Sequence, residues 1–220
     1  MSSAAVAVRT FVTELPPKDL IPIVGEFPRY DLISDEDLES TEICVHHIGF
    51  SVSALITLRA AALELVSTNT GITRSNVGGY HSSRNLFDGS EEHHGFEGLH
   101  ETLTALVREK WNSKRDRVDA ELKQFRPAEA WANIMGEGNF HDLHDHSGAT
   151  YSGVYYLEVG EEGAGGCTVF RTCVGEQCCE YFALTPRDNF GVLWPGSMVH
   201  AVTKYVGITK RISISYNFYV

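Results

Sequence analysis

The octapeptide HDLHDHSG, His141 to Gly148, sets three histidines and two aspartates side by side. Imidazoles and carboxylates are side chains that hold first-row metal ions. A His-rich run alone is equally a solvated loop, so its weight depends on residues elsewhere. His144 and His146, two apart, would point the same way in an extended strand and grip one ion between them. Downstream, WPGSMVHAV places His200 just after a Pro-Gly turn. The closing segment KRISISYNFYV then alternates, with Arg211, Ser213, Ser215 and Asn217 on one side and Ile212, Ile214, Tyr216 and Phe218 on the other. A polar stripe headed by an arginine and backed by an apolar face lies either in solvent or in a wet interior cavity.

The elements that would position these residues change character midway along the chain. Up to about Gln124 the pattern is helical. Ser34 is a candidate N-cap before Asp35, Glu36 and Asp37; SVSALITLRAAALELVSTN is stopped by Asn69-Thr70-Gly71; and FEGLHETLTALVREKWNSK sets Leu99, Leu103, Leu106, Val107 and Trp111 at helical spacing. From Trp131 onward the period is two, and AWANIM, TYSGVYYLEV, CTVFRTC, EYFALT, FGVLWP and TKRISISYNFYV read as strands. Within TYSGVYYLEV, Ser152, Val154 and Tyr156 share one face and Gly153, Tyr155 and Leu157 the other. Helices first and many short strands after predict a mainly β (α+β) fold, a two-sheet jelly roll braced by N-terminal helices. We read one domain over 1–220, helical over 1–125, with a jelly-roll core carrying the metal site over 126–220. Trp131 and Trp194 read as core or rim. Asn133 is a candidate to line the cavity.

Composition narrows the function. The 220 residues carry a net charge of −11, which argues against a surface that tracks phosphates and hence against nucleic acid; it mildly favours basic or neutral substrates. The first twenty residues resemble neither a signal nor a transit peptide, and no apolar run is long enough to span a membrane, so an intracellular, cytoplasmic protein is expected. Cys167, Cys173, Cys178 and Cys179 fit no regular zinc spacing and read as reduced thiols in a hairpin and its loop. His93 and His94 read as solvated, while His46, His47, His81 and His100 show no partner pattern.

Taken in order, HDHSG, SGVYYL, GGCTVF, WPGSMVH and RISISYN resemble the iron(II) and 2-oxoglutarate-dependent oxygenases, and within them a largely uncharacterised group carrying HxHPG, SGVYYL, FPxxxxH and RISIxFN. SNVGGYHSS resembles that group's Gly-Trp-x-Ser segment, with Tyr80 in place of Trp. The resemblance implies a double-stranded β-helix of cupin type, and iron(II) held by His144, His146 and His200. It implies 2-oxoglutarate as cosubstrate, its distal carboxylate held by Arg211, Ser213 and Tyr156, with O2 as oxidant and ascorbate as accessory reductant. The implied reaction hydroxylates a small-molecule or peptidyl substrate with release of succinate and CO2.

One departure matters most: His146 stands where the superfamily usually has an acidic ligand. Asp142 and Asp145 are close enough in sequence to orient the ring nitrogens or to replace a ligand. Two alternatives follow, a cupin-like three-His metalloenzyme that uses no oxoacid, and a catalytically silent barrel that binds a metal or metabolite.

Overall fold

The computed structural model describes residues 31–32, 42–90, 95–113, 128–174 and 178–220. The helix expected after Ser34, and His93 and His94, lie outside them. Twelve strands are described: β1 (Asp31–Leu32), β2 (Cys44–His47), β3 (Asn76–Val77), β4 (Tyr80–His81), β5 (Glu129–Met135), β6 (Phe140–His144), β7 (Tyr151–Glu158), β8 (Thr168–Val174), β9 (Cys178–Leu184), β10 (Phe190–Pro195), β11 (His200–Val202) and β12 (Arg211–Phe218). They form two six-stranded sheets, ordered β1-β9-β8-β11-β6-β3 and β2-β10-β7-β12-β5-β4. This is the expected jelly roll. All six strands read from the period-two pattern are present, and the extended segment expected around His144 and the strand start expected at His200 are β6 and β11.

Two helices brace the second sheet. α1 (Val52–Thr68) starts at the N-cap Ser51, whose hydroxyl accepts from the Ala54 N–H. Its Leu58, Ala62 and Leu65 are buried at helical spacing, as are Leu99, Leu103 and Val107 of α2 (Glu97–Ser113). They pack with Ile212, Ile214, Tyr216 and Phe218 of β12, with Tyr155 and Leu157 of β7 and with Ala130, Ala132 and Ile134 of β5. Arg59 of α1 pairs with Glu158 at the end of β7. The alternate residues of the same strands therefore face the space between the sheets. Val154, Tyr156, Phe170, Val192 and Trp194 fill one part of it. The polar residues line another.

The SNVGGYHSS segment crosses the open end of the roll. β3 pairs with β6 in one sheet and β4 with β5 in the other. Gly78 and Gly79, at φ of 70° and 68°, make the crossing; a Cβ at Gly79 would stand 2.9 Å from the Ile134 carbonyl oxygen. In the first sheet β8 and β9 form the cysteine-bearing hairpin, with Cys173 opposite Cys179, while Cys167 is a buried free thiol. No helix among the described residues is long and apolar enough to cross a membrane.

Gly153 of β7 marks the closest packing in the second sheet. A Cβ there would lie 2.3 Å from the Tyr216 ring and 2.4 Å from the Val192 carbonyl oxygen. Gly153→Ala is expected to cost about 1–3 kcal/mol by overpacking, read as a lowered urea midpoint with an unchanged m-value.

Candidate metal and anion site

His144, His146 and His200 meet between the sheets, each offering a nitrogen, and the three nitrogens lie within 4.8 Å of one another. β11 pairs antiparallel with β6 so that His200 stands opposite His144, and their ring centroids are 4.3 Å apart. His146 arrives differently from the sequence expectation. β6 ends at His144, and His146 sits in the loop that follows, placed by its N–H donating to the Gly196 carbonyl at 2.8 Å. Its ring is 5.1 Å from both partners. A loop thus does what strand alternation was expected to do.

Backbone carbonyls fix two of the rings. The His144 Nδ1–H donates to the Asp142 carbonyl at 2.7 Å and the His200 Nδ1–H to the Met198 carbonyl at 2.9 Å. A carbonyl only accepts, so Nδ1 carries the proton and Nε2 presents its lone pair to an ion. The aspartate roles expected from sequence change accordingly. Asp142 acts through its main chain, and the exposed Asp145 carboxylate accepts from the N–H and hydroxyl of Ser147 instead of reaching the cluster.

Burial depresses all three basicities, and at His146 and His200 the neighbouring rings lower them further. His146 is pushed down to about 3 and His200 well below its usual value, while His144 is lowered. His141, also pushed down to about 3, is buried beside the cluster with its Nδ1 3.5 Å from the Ser75 hydroxyl; it stands outside the three-nitrogen group. The His144 Nε2 stands 3.3 Å from the Ser75 hydroxyl, a contact that a bound ion would replace, and neutral imidazoles are a donor set suited to iron, zinc, copper or nickel.

The cavity around them measures about 210 Å³. Arg211, 1% exposed, lines it and has no acidic partner among the described residues. Its Nη1 donates to the Ser213 hydroxyl at 3.1 Å and to the Met135 sulfur at 3.5 Å, while its Nε has no partner. The guanidinium lies 5.3 Å from the centroid of the Tyr156 ring, beneath it a cation–π platform. The Tyr156 hydroxyl is bonded to Thr168 at 2.7 Å and is pushed up to about 12 by burial. Gly166 admits the side chain: a Cβ there would lie 2.7 Å from Arg211 Cδ and Nε. Asn133 lines the same cavity, donating to the Ser215 hydroxyl at 2.9 Å while its Oδ1 is unpartnered. The stripe of Arg211, Ser213 and Ser215 therefore faces a wet interior.

Sequence reasoning missed the contribution of the crossing segment. Arg74, Ser75, His81 and Arg84 all line the cavity. His81, which showed no partner pattern, is buried and stacked on Trp131 at 5.5 Å. The resemblance in SNVGGYHSS was the available signal. Thr168 and Trp194 complete the wall.

Comparison with known proteins agrees with this geometry. Residues 129–217 match the model of a family described as "Putative 2OG-Fe(II) oxygenase", a stretch that holds all three ligand histidines and Arg211. Among curated proteins, none matches the chain by sequence. A prolyl-4-hydroxylase from Pseudomonas putida superposes with a TM-score of 0.59 at 14% identity, covering 84% of this chain and 95% of that one. The non-haem α-ketoglutarate-dependent epimerase SnoN of nogalamycin biosynthesis gives 0.64 at 11%, covering 82% and 78%. HygX from Streptomyces hygroscopicus, solved with nickel and 2-oxoglutarate bound, gives 0.54 at 14%, covering 84% and 87%. These likenesses establish the double-stranded β-helix.

The depressed imidazoles carry a pH signature. Unfolded, each histidine titrates near 6.5; folded, these stay neutral far below that, so the unfolded chain takes up more protons as pH falls. Stability of the metal-free protein should be complete above pH 6.5 and decline from there toward pH 3. The same urea series on His146→Gln should show a shallower decline.

Proposed function

We propose that this chain, whose residues 129–217 match the putative 2OG-Fe(II) oxygenase model, is a non-haem iron(II) and 2-oxoglutarate-dependent dioxygenase that hydroxylates its substrate and releases succinate and CO2. The observation that carries the reading is Arg211: a cation buried without a counter-charge, in the same cavity as three convergent imidazoles. Leaving a charge desolvated and unpaired costs several kcal/mol. A bound carboxylate would convert that cost into a charge-assisted pair.

The residues divide the work by position. His144, His146 and His200 would hold iron(II), which when bound supplies the activation of O2 and the oxidising power. Arg211 and Ser213 bind the distal carboxylate of 2-oxoglutarate. Tyr156 holds the guanidinium from its ring face, and Thr168 fixes the Tyr156 ring through its hydroxyl. The free Oδ1 of Asn133 is an acceptor on the cavity wall. Trp131 and Trp194, with their large apolar faces, limit water in a site where low dielectric strengthens the Arg211 pair.

A second reading is favoured by one feature: among the described residues no carboxylate joins the three-nitrogen cluster. Under it the site is a three-His metalloenzyme in which Arg211 receives an anionic substrate directly.

One set of measurements separates them. With iron(II), O2 and ascorbate, the first reading expects 2-oxoglutarate to be consumed with stoichiometric succinate, including a slow uncoupled turnover without substrate. In calorimetric titration with nickel(II) in place of iron, Arg211→Ala should weaken 2-oxoglutarate binding about 30-fold or more. Metal binding with no response to 2-oxoglutarate in either assay rejects the first reading in favour of the second.

A further inference from the structure

The cavity wall is far more basic than the chain around it. Over the whole sequence 29 acidic residues outweigh 18 Lys and Arg, yet among the described residues the cavity is lined by Arg74, Arg84 and Arg211 against a single acid, Asp145. Arg211 lies at the buried end of β12 and is engaged, under the function proposed above, by the oxoacid. Arg74 and Arg84 stand apart from it at the two ends of the crossing segment, one in line with each sheet.

Arg84 is held in a defined place. Its guanidinium lies 5.0 Å from the centroid of the Trp131 ring, and that same indole carries His81 at 5.5 Å and the ligand His146 at 5.4 Å. Glu129 approaches Arg84 Nη1 at 3.5 Å, with both side chains 37% exposed, a pairing worth little in water. The Glu129 carboxylate also accepts from Asn217 and Tyr219. Arg84 Nε is buried without a hydrogen-bond partner. Arg74 is exposed.

We propose that Arg84 and Arg74 form an oxyanion-binding rim that selects substrates bearing a carboxylate, the reacting end of the substrate passing inward beside the three imidazoles. This rests on the function proposed above and names its substrate class. Size supports the division. A cavity of about 210 Å³ is below the roughly 300–1,000 Å³ that encloses a whole small-molecule ligand, so a short end enters and the charged group stays at the rim. A fixed guanidinium matches a carboxylate through two parallel N–H donors, and stacking on Trp131 orients it beforehand. This proposal departs from the expectation of basic or neutral substrates drawn from net charge, because the arginines on the cavity wall and the overall charge have opposite signs.

The test uses three probes of similar size, phenylacetate, phenylacetamide and phenethylamine, titrated against protein loaded with diamagnetic zinc(II) and saturated with 2-oxoglutarate and, separately, against Arg211→Ala. The readout is the Trp131 indole N–H resonance, identified from Trp131→Phe. Phenylacetate should bind about tenfold or more tightly than the amide, and more tightly still than the amine. The preference should survive in Arg211→Ala and vanish in Arg74→Gln/Arg84→Gln, with Arg84→Lys retaining part of it. Equal binding of acid and amide, no binding of the acid, or a preference that disappears with Arg211 and persists in the double variant overturns the proposal. Failure of 2-oxoglutarate to bind would instead strike the oxygenase reading, and an acid preference lost only with Arg74 and Arg84 would still stand. A urea midpoint for each variant checks that it is folded.

Discussion

A guanidinium enclosed without a carboxylate is the constraint around which the molecule is arranged. Arg211 has a hydroxyl, a thioether and an aromatic ring about it, contacts that soften the loss of water without neutralising the charge. Burial lowers its basicity, but a guanidinium remains protonated in any ordinary setting. A protein that keeps such a group inside gains an anion-binding pocket at the expense of stability. The room for it is made by Gly166, where a methyl group would collide with the arginine stem.

What holds Arg211 inward is the opposite face of the same strand. Ile212, Ile214, Tyr216 and Phe218 are buried against α1 and α2. A slip of one residue would exchange the two faces and turn this apolar set into the polar cavity. The helices are thus more than a brace, because their apolar stripes define which side of β12, β7 and β5 is core and which is site. β10 obeys the same division, with Leu193 toward the helices and Val192 and Trp194 between the sheets.

Much of this was legible because it rests on local periodicity. Both described helices fall where the Leu and Ala spacing placed them, and the polar stripe of the last strand was plain in its alternation. The rest depended on pairings distant in sequence. β3 and β4 have two residues each, too few for any period, and they bring Ser75 and His81 to the site only by adding to β6 and β5. β11, three residues long, is too short to show a period, but the Pro-Gly turn before it marked His200 as the start of a strand, where it lies. His146 joins His144 and His200 as the spacing suggested, but a main-chain hydrogen bond to Gly196, not a continuing strand, sets its direction. The tautomers of His144 and His200 depend on backbone carbonyls, which residue types do not encode: Asp142 orients His144 as suggested, but through its main chain and not its carboxylate. Net charge averages over the whole surface and does not report the local arginines of the cavity wall.

The two arginines of the rim and the three imidazoles sit on different pieces of chain. The imidazoles are borne by β6, the loop after it and β11, and that loop is hydrogen-bonded to the turn leading into His200, so the coordinating pieces are coupled to one another. Arg74 and Arg84 belong to a separate strip laid over the opening. Evolution can therefore retarget such a scaffold by rewriting the strip, trading one pair of side chains for another, while the chemistry beneath is inherited unaltered.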